Sequence, residues 1–500
     1  MVAVAERLDA QTDEPGEVDE SVLPRRLLWA ATAIFFVVLT ALILYRHGHI
    51  GTRAFDLGIF DQGLWLLSEG ETPFVTVRGL HLFADHSSFL MIPLVPLYWI
   101  WSDVRVLLML TAFAMAAGGP LVYKAARAEG VATWPAAALG LSYLLLPAVQ
   151  WQVWDAFHPE TLAVPLLLAA YLLALRRHWA WALVFLALVL LAKEDAALVV
   201  VPLALYLGIR FRQRWLAIGG VTLGITALLL NFGVLLPHWS PTGELIYAGR
   251  YPAFGDSLTS IASGVITSPG EVITTALGEG RWVYLVGMIL PMILALAAPE
   301  VLIVAVPTYL ANVLSIHYYQ SQVEYHYTAY IISVVAIAAI VGTRRLLRWS
   351  RGRQRAVRWR NSLVAIGLIA AFTGSIVGGP WPTFRNNPWA GHAPDSALVT
   401  EALAVVPADA AVAADFRLVP HLTHRLTVYE FPNPVVTRNW SVNGMNPPPP
   451  DDFDWIIVRA NLAGMDELFT DELDKLTSTG EFVAVVENVE VTVWQRASSQ

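Results

Sequence analysis

Long apolar runs, each broken by a short polar or basic stretch, set the frame of this chain. The first, 27–45, follows Arg25 and Arg26 and is long enough to cross a bilayer. Further runs fall at 104–122, 131–149, 161–175, 179–192, 196–209, 215–236, 282–298, 301–315, 328–341 and 361–378. Together they predict an all-α polytopic membrane protein with about eleven transmembrane helices. The runs 161–175, 179–192 and 196–209 are short for a bilayer core of about 30 Å, which points to tilted or interrupted helices around a polar cavity. The stretch 88–101 is apolar but shorter still, contains Pro93 and Pro96, and ends in Trp-Ile-Trp, so it is expected to lie in the interface.

The basic residues orient this frame. If 88–101 does not cross, Lys124, Arg127, Arg176, Arg177, Arg210, Arg212, Arg214 and the run 344–360 all share the side of the N-terminus. Enrichment of Lys and Arg in cytoplasmic loops makes that side the inside. His47-Gly48-His49 offers no small-residue cleavage site, so the first span is expected to stay uncleaved. Residues 1–24 are then an acidic cytoplasmic tail expected to be disordered, and 25–379 a transmembrane domain with its first outer loop at 46–103. Past Gly378-Gly379-Pro380 the spans cease. The segment 380–500 reads as a small extracytoplasmic α/β domain, with a helix capped at Asp395/Ser396, a strand at 454–458, a helix over 466–479 and two strands within 481–496. Pro-rich spacers lie at 380–394 and 447–450.

Composition narrows the function. With 56% hydrophobic and 14% charged residues, an inner (plasma) membrane protein follows, and a net charge of −8 argues against nucleic acid as a partner. The absence of cysteine removes disulfides, thiol catalysis and thiolate metal sites. No phosphate loop, dinucleotide fingerprint, zincin helix or serine-nucleophile elbow is present.

What stands out is the polar chemistry delivered to the outer side. The first outer loop brings Asp56 and Asp61 within Phe55–Gln62, then Asp85 and His86. Later segments bring Asp155, His158 and Glu160; Lys193, Glu194 and Asp195; Arg250 and Tyr251; and Glu324 and His326. Ionisable groups at membrane depth cost several kcal/mol unless paired or solvated, so such a gathering marks a candidate site. Each cluster also has a structural reading. The aspartates suit loop caps, Pro159-Glu160 suits a helix start, Lys193-Glu194-Asp195 suits a turn with an internal ion pair, and Tyr325-His326-Tyr327 suits an aromatic belt. The outer carboxylates and histidines could hold a divalent metal, but no ligand spacing defines one, so no cofactor and no metal ligand is assigned.

Phe55–Gln62, Phe157–Glu160 and Lys193–Asp195 resemble the blocks of a family of bacterial multi-spanning proteins of unknown function, marked by Phe-Asp-x-Gly-Ile-x-Asp-Gln, Phe-His-Pro-Glu and Lys-Glu-Asp. Ala298-Pro-Glu300 and Tyr325-His-Tyr327 look like its later blocks. That family in turn resembles the GT-C class of integral-membrane glycosyltransferases. The resemblance implies a GT-C-like fold, a polyprenyl-phosphate sugar donor, a cell-envelope acceptor, and an essential acid in the first outer loop, which is Asp56 or Asp61 here. The remaining roles are read from chemistry. Asp56 is the expected general base, Asp61 or Glu194 orients the acceptor, and Lys193, Arg250 and His326 contact phosphate, with His86, His158, Glu160, Tyr251 and Glu324 as further substrate contacts. The prenyl tail is expected near 88–101. The rival reading is a transporter or flippase of a lipid-linked or envelope substrate, which should carry polar residues through the full depth and related halves; neither is visible here. A third is a structural or sensory protein, in which the carboxylates would be dispensable.

Overall fold

The computed structural model describes residues 22–243, 246–278, 280–349, 354–381, 393–442 and 447–497. The expected tail at 1–24 and the linker at 380–394 fall almost entirely outside the described residues. Each run expected to cross is largely helical, that at 282–298 as the helix Arg281–Ile289 followed by a 3-10 helix over Leu290–Ala297. The helices referred to by label are α1 (Val22–Gly48), α2 (Ile59–Glu69, in the loop after α1), α3 (Arg105–Ala128), α4 (Thr133–Leu144), α5 (Pro147–Trp154), α6 (Pro159–Leu175), α7 (Trp179–Leu190), α8 (Ala197–Arg210), α9 (Arg214–Leu230), α10 (Leu258–Thr267, between expected spans), α11 (Val306–Val313), α12 (Ala329–Trp349) and α13 (Gln354–Gly378). Among the described residues, four helices are long and apolar enough to cross a membrane, or up to six if each bent pair counts as one span. Length and composition thus support fewer spans than the eleven or so expected. Helices of 10–17 residues reach only about 15–25 Å at 1.5 Å per residue, short of a core of about 30 Å.

Burial sorts the helices. The span containing α12 is 78% buried, whereas those of α1 and α9 are 22% and 17% buried. Ile34, Val37, Trp215 and Leu229 stand exposed on these outer helices, a surface that only lipid or a partner could cover. Close packing relies on small residues. A Cβ added at Gly220 of α9 would stand 2.3 Å from the Ala204 Cβ of α8, and one at Gly208 2.4 Å from the Ala217 Cβ, so the two backbones approach without intervening side chains. At one end of the bundle, the buried Glu129 carboxylate takes Arg210 at 2.5 Å and Arg344 as well, tying together the ends of α3, α8 and α12.

The C-terminal domain is a five-stranded mixed sheet in the order β4-β3-β5-β7-β6, formed by β3 (Val412–Ala414), β4 (Val428–Glu430), β5 (Trp455–Arg459), β6 (Phe482–Glu487) and β7 (Val491–Arg496). Two further strands, β1 (Phe74–Val75) and β2 (Leu80–His81), form a hairpin in the loop that follows α1. Helices Ser396–Leu403 and Glu467–Ser478 are capped by Asp395 and Asp466, which accept from Ala397 N–H at 2.9 Å and Phe469 N–H at 3.0 Å. The sequence pattern marks β5, β6, β7 and both caps. It misses β3 and β4, because three residues are too few to show alternation.

This domain docks on the loop that follows α1. Ala54 N–H donates to Phe416 O at 2.6 Å, Thr76 exchanges two 2.9 Å bonds with the Val428 backbone, and Ser441 N–H donates to Arg78 O at 2.8 Å. Gly79, at φ +68°, lies under the Trp440 ring; a Cβ there would come within 2.3 Å of it, so both conformation and space require glycine.

Candidate active site

The loop that follows α1 splits its two aspartates. Ala54–Gly58 is an irregular turn in which Asp56 takes φ 68°, ψ −81°, a rare and costly conformation for a residue with a side chain. The turn aims Asp56 into a cavity among the helix ends. Five residues on, Asp61 lies in the first turn of α2 and points into the docked C-terminal domain. Its carboxylate is wholly buried and accepts from the Tyr98 and Thr423 hydroxyls and from His424 Nε2 at 3.2 Å. Gln62 does the same work, donating to Thr76 Oγ1 at 2.8 Å and Arg425 O at 3.2 Å. Half of the motif therefore binds domain to domain. Asp61, expected among the catalytic residues, does not line the cavity, because the start of α2 turns it away.

Around Asp56 the later motifs close a charged ring. His158 Nε2 lies 3.4 Å from Asp56 Oδ1, and the His158 ring stacks on His326 with centroids 3.7 Å apart. Asp155 takes the His326 N–H at 2.9 Å and its Nδ1 at 3.2 Å. Glu160 accepts from Lys193 Nζ at 3.0 Å. Glu194 holds His86 Nδ1 at 2.9 Å and the Ser87 N–H at 3.2 Å. Local chemistry explains the placements. Pro159 opens α6 so that His158 and Glu160 sit at its N-terminal end, while the break between α7 and α8 leaves Lys193 and Glu194 at helix ends facing inward.

The ring is electrostatically self-consistent. Burial alone would lower the His158 imidazole, but Asp56, with Asp155 and Glu160, lifts it to about 9. Burial would raise Asp56, yet His158, then Lys193 and His86, hold it below its ordinary value. Asp155 is raised to about 7 by burial, against the pull of His158. The pair is therefore a carboxylate beside an imidazolium at neutral pH. Some 46% of the Asp56 side chain is open. It opens onto the cavity, deep within the protein, which is why burial still acts on it.

Two cavities meet here. A polar one of about 820 Å³ is lined by Asp56, His86, His158, Glu160, Lys193, Arg250 and His326, with Thr437 and Asn439 to Val442 of the C-terminal domain along one wall. An apolar one of about 670 Å³ runs between α8, α9, α10 and α11, lined by residues such as Leu198, Phe232, Ile261, Val265 and Leu310. Asp85, His86, Lys193, Tyr247, Arg250 and Tyr327 line both, so the two cavities adjoin across these side chains. Glu194 and Tyr251 lie on the apolar cavity, where Tyr251 donates to Ala311 O at 2.9 Å. Glu324 lies on neither; it borders a third cavity across the Asp56 turn. The apolar cavity also lies apart from 88–101, where a prenyl groove was expected; Ile92, Trp99 and Ile100 of that stretch face outward. Sequence reading passed over Arg78 and Tyr247, both bound to Asp85, and the wall from the C-terminal domain, for which no local signal exists.

Asp56, His158 and His326 offer ligand atoms within 4.8 Å of one another, a two-histidine, one-carboxylate set of the kind transition metals accept. The stacked rings, only 21° from parallel, direct their in-plane lone pairs along separate planes. One ring must turn before both could meet a single ion, so this arrangement does not fit a metal as it stands.

Among curated proteins, no sequence matches the chain. A solved structure does: ArnT from Cupriavidus metallidurans bound to undecaprenyl phosphate, at a TM-score of 0.50 and 13% identity, over 93% of this chain and 98% of that one. At that identity the likeness is one of fold, and the fold is GT-C-like, as the motif resemblance implied. The predicted membrane protein family DUF2079 matches residues 46–493, which takes in every motif above and the C-terminal domain, and the chain belongs to that family.

Proposed function

We propose that this protein is a membrane glycosyltransferase that moves a sugar from a polyprenyl-phosphate donor to a cell-envelope acceptor at the outer face of the plasma membrane. One observation carries the reading: a carboxylate-bearing polar cavity adjoins an apolar cavity, and Lys193 and Arg250 stand on the boundary that the two share. A prenyl tail belongs in the apolar part, its phosphate at the two cations, and its sugar beside Asp56. An undecaprenyl phosphate in the neighbouring fold is consistent with such a lipid, though it is a property of that protein.

In the reaction the acceptor hydroxyl oxygen attacks the anomeric carbon while the bond from that carbon to the phosphate oxygen breaks. The electron pair leaves with the lipid phosphate, whose growing charge Lys193 and Arg250 neutralise. Asp56 takes the hydroxyl proton, and His158 holds that carboxylate in place. One displacement inverts the anomeric centre. Glu194 acts through His86, fixing the shared boundary. The N-terminus is cytoplasmic and the C-terminal domain extracytoplasmic in this reading, and Asp61 serves docking.

The test uses purified wild type and Asp56→Asn with radiolabelled polyprenyl-phosphate sugars and envelope extract. Transfer by wild type, lost in the variant while donor binding remains, supports the enzyme. If both bind donor without transfer and both move it across vesicles, the protein is a flippase.

A further inference from the structure

The Asp56 turn has a second side. Behind it lies a cavity of about 400 Å³, lined by Arg46, Arg53, Trp151, Trp154, Glu324 and Arg417 among others. Asp56 lines both this cavity and the polar one, and it is the only carboxylate common to the two linings among the described residues. A general base placed in a shared wall suits a reaction in which donor and acceptor arrive from opposite sides.

The chemistry of the second cavity is distinctive. Among the described residues, Arg46, Arg53 and Arg417 make no ion pair with a carboxylate within 4 Å. Arg46 spends its donors on the Gly51 carbonyl at 2.8 Å and on the Trp154 carbonyl, and lies 4.5 Å over the Trp154 ring. Arg417 leaves its Nε buried without a hydrogen-bond partner. The carboxylates nearby have other partners or face solvent: Asp155 is taken up by His326, Asp56 faces His158, Asp415 pairs with Arg459, and Glu324 is exposed. Guanidinium groups without a directly paired carboxylate suit an anion, since their planar forks match phosphate and carboxylate oxygens.

We propose that this second cavity admits the acceptor, and that the acceptor carries an anionic group, a phosphate or a carboxylate, beside the hydroxyl that is glycosylated. Arg417 gives the C-terminal domain a function in this scheme, because it reaches the cavity from the segment between β3 and the Val419–His421 turn. The inference rests on the glycosyltransferase reading for the word acceptor, but the anion site stands or falls by itself.

The test is calorimetric titration of the full-length protein in detergent with sn-glycerol 1-phosphate, glucuronate and glycerol. Saturating undecaprenyl phosphate is present, so that Lys193 and Arg250 are already engaged. Saturable binding of one anion but not of glycerol is expected, and the better anion tells phosphate from carboxylate. Arg417→Met and Arg53→Met should each weaken it about ten-fold or more. Arg417→Lys should retain part of it, and Arg250→Met should leave it in place. Absence of saturable anion binding, equal binding of glycerol, or loss in Arg250→Met with retention in Arg417→Met would each overturn the proposal. Anion binding that persists in a protein that transfers no sugar would sink the enzyme reading and spare the site.

Discussion

Replacing Asp61 with alanine is expected to undock the C-terminal domain. The wild-type carboxylate has no exposed surface and accepts from two hydroxyls and from His424. Truncation strands the buried Tyr98 and Thr423 hydroxyls and removes the counter-charge of the half-buried His424 imidazole. Breaking a buried charged pair by deleting one member costs roughly 3–5 kcal/mol. The bonds of Thr76 to Val428 and of Ala54 to Phe416 are untouched, so the loss falls on the docking equilibrium. At tenfold per 1.4 kcal/mol, the undocked population should rise on the order of 100- to 1000-fold. Amide hydrogen exchange of residues 412–430 in detergent reads that change, and Asp61→Asn should lie between, since its amide keeps one acceptor oxygen. The pH arm adds a second reading. Burial would lower His424, but Asp61, then Asp103, raise it above its ordinary value. A raised histidine contributes fully below about pH 6.5, and that contribution fades as pH climbs through the raised value. Wild-type docking should therefore loosen toward alkaline pH, and Asp61→Ala should lack that dependence. Exchange in Asp61→Ala that matches wild type across pH would refute the reasoning.

Other outcomes follow from the same geometry. Asp56→Asn should cut sugar transfer by about 10²- to 10⁴-fold, the usual worth of a general base, with exchange at 412–430 unaltered; loss of docking instead would move Asp56 to a structural role. Ala262→Trp, placed in the apolar cavity, should weaken undecaprenyl phosphate binding about ten-fold while barely changing that of decyl phosphate, because only the longer chain needs the filled space; equal effects on both lipids would place the tail elsewhere. Glu129→Gln leaves Arg210 and Arg344 facing a neutral amide, so thermal unfolding should shift to clearly lower temperature, at a cost of roughly 3–5 kcal/mol, with lipid binding intact below the transition. An unshifted transition would show that solvent already serves those arginines.

The apolar runs by themselves determine a helical membrane protein, since burying backbone polar groups in lipid leaves few alternatives to helices. The Asp395 and Asp466 caps and strands β5 to β7 are legible for the same local reason: side-chain chemistry acts on neighbouring backbone. Motif chemistry also places Asp56, His158, Glu160, Lys193 and His326 on one list of candidates. Which members of that list meet depends on tertiary structure. Asp56 and Asp61 both read as site acids in sequence, with Asp56 ahead, yet the backbone dihedrals at Asp56 turn one into the cavity and leave the other for His424. Arg417, Trp440 and Tyr247 join the cavities from distant segments, and no periodicity announces them. The apolar cavity likewise lies among α8 to α11 and not at 88–101, because helix packing decides where a gap is left, whereas hydrophobicity marks only which surfaces avoid water.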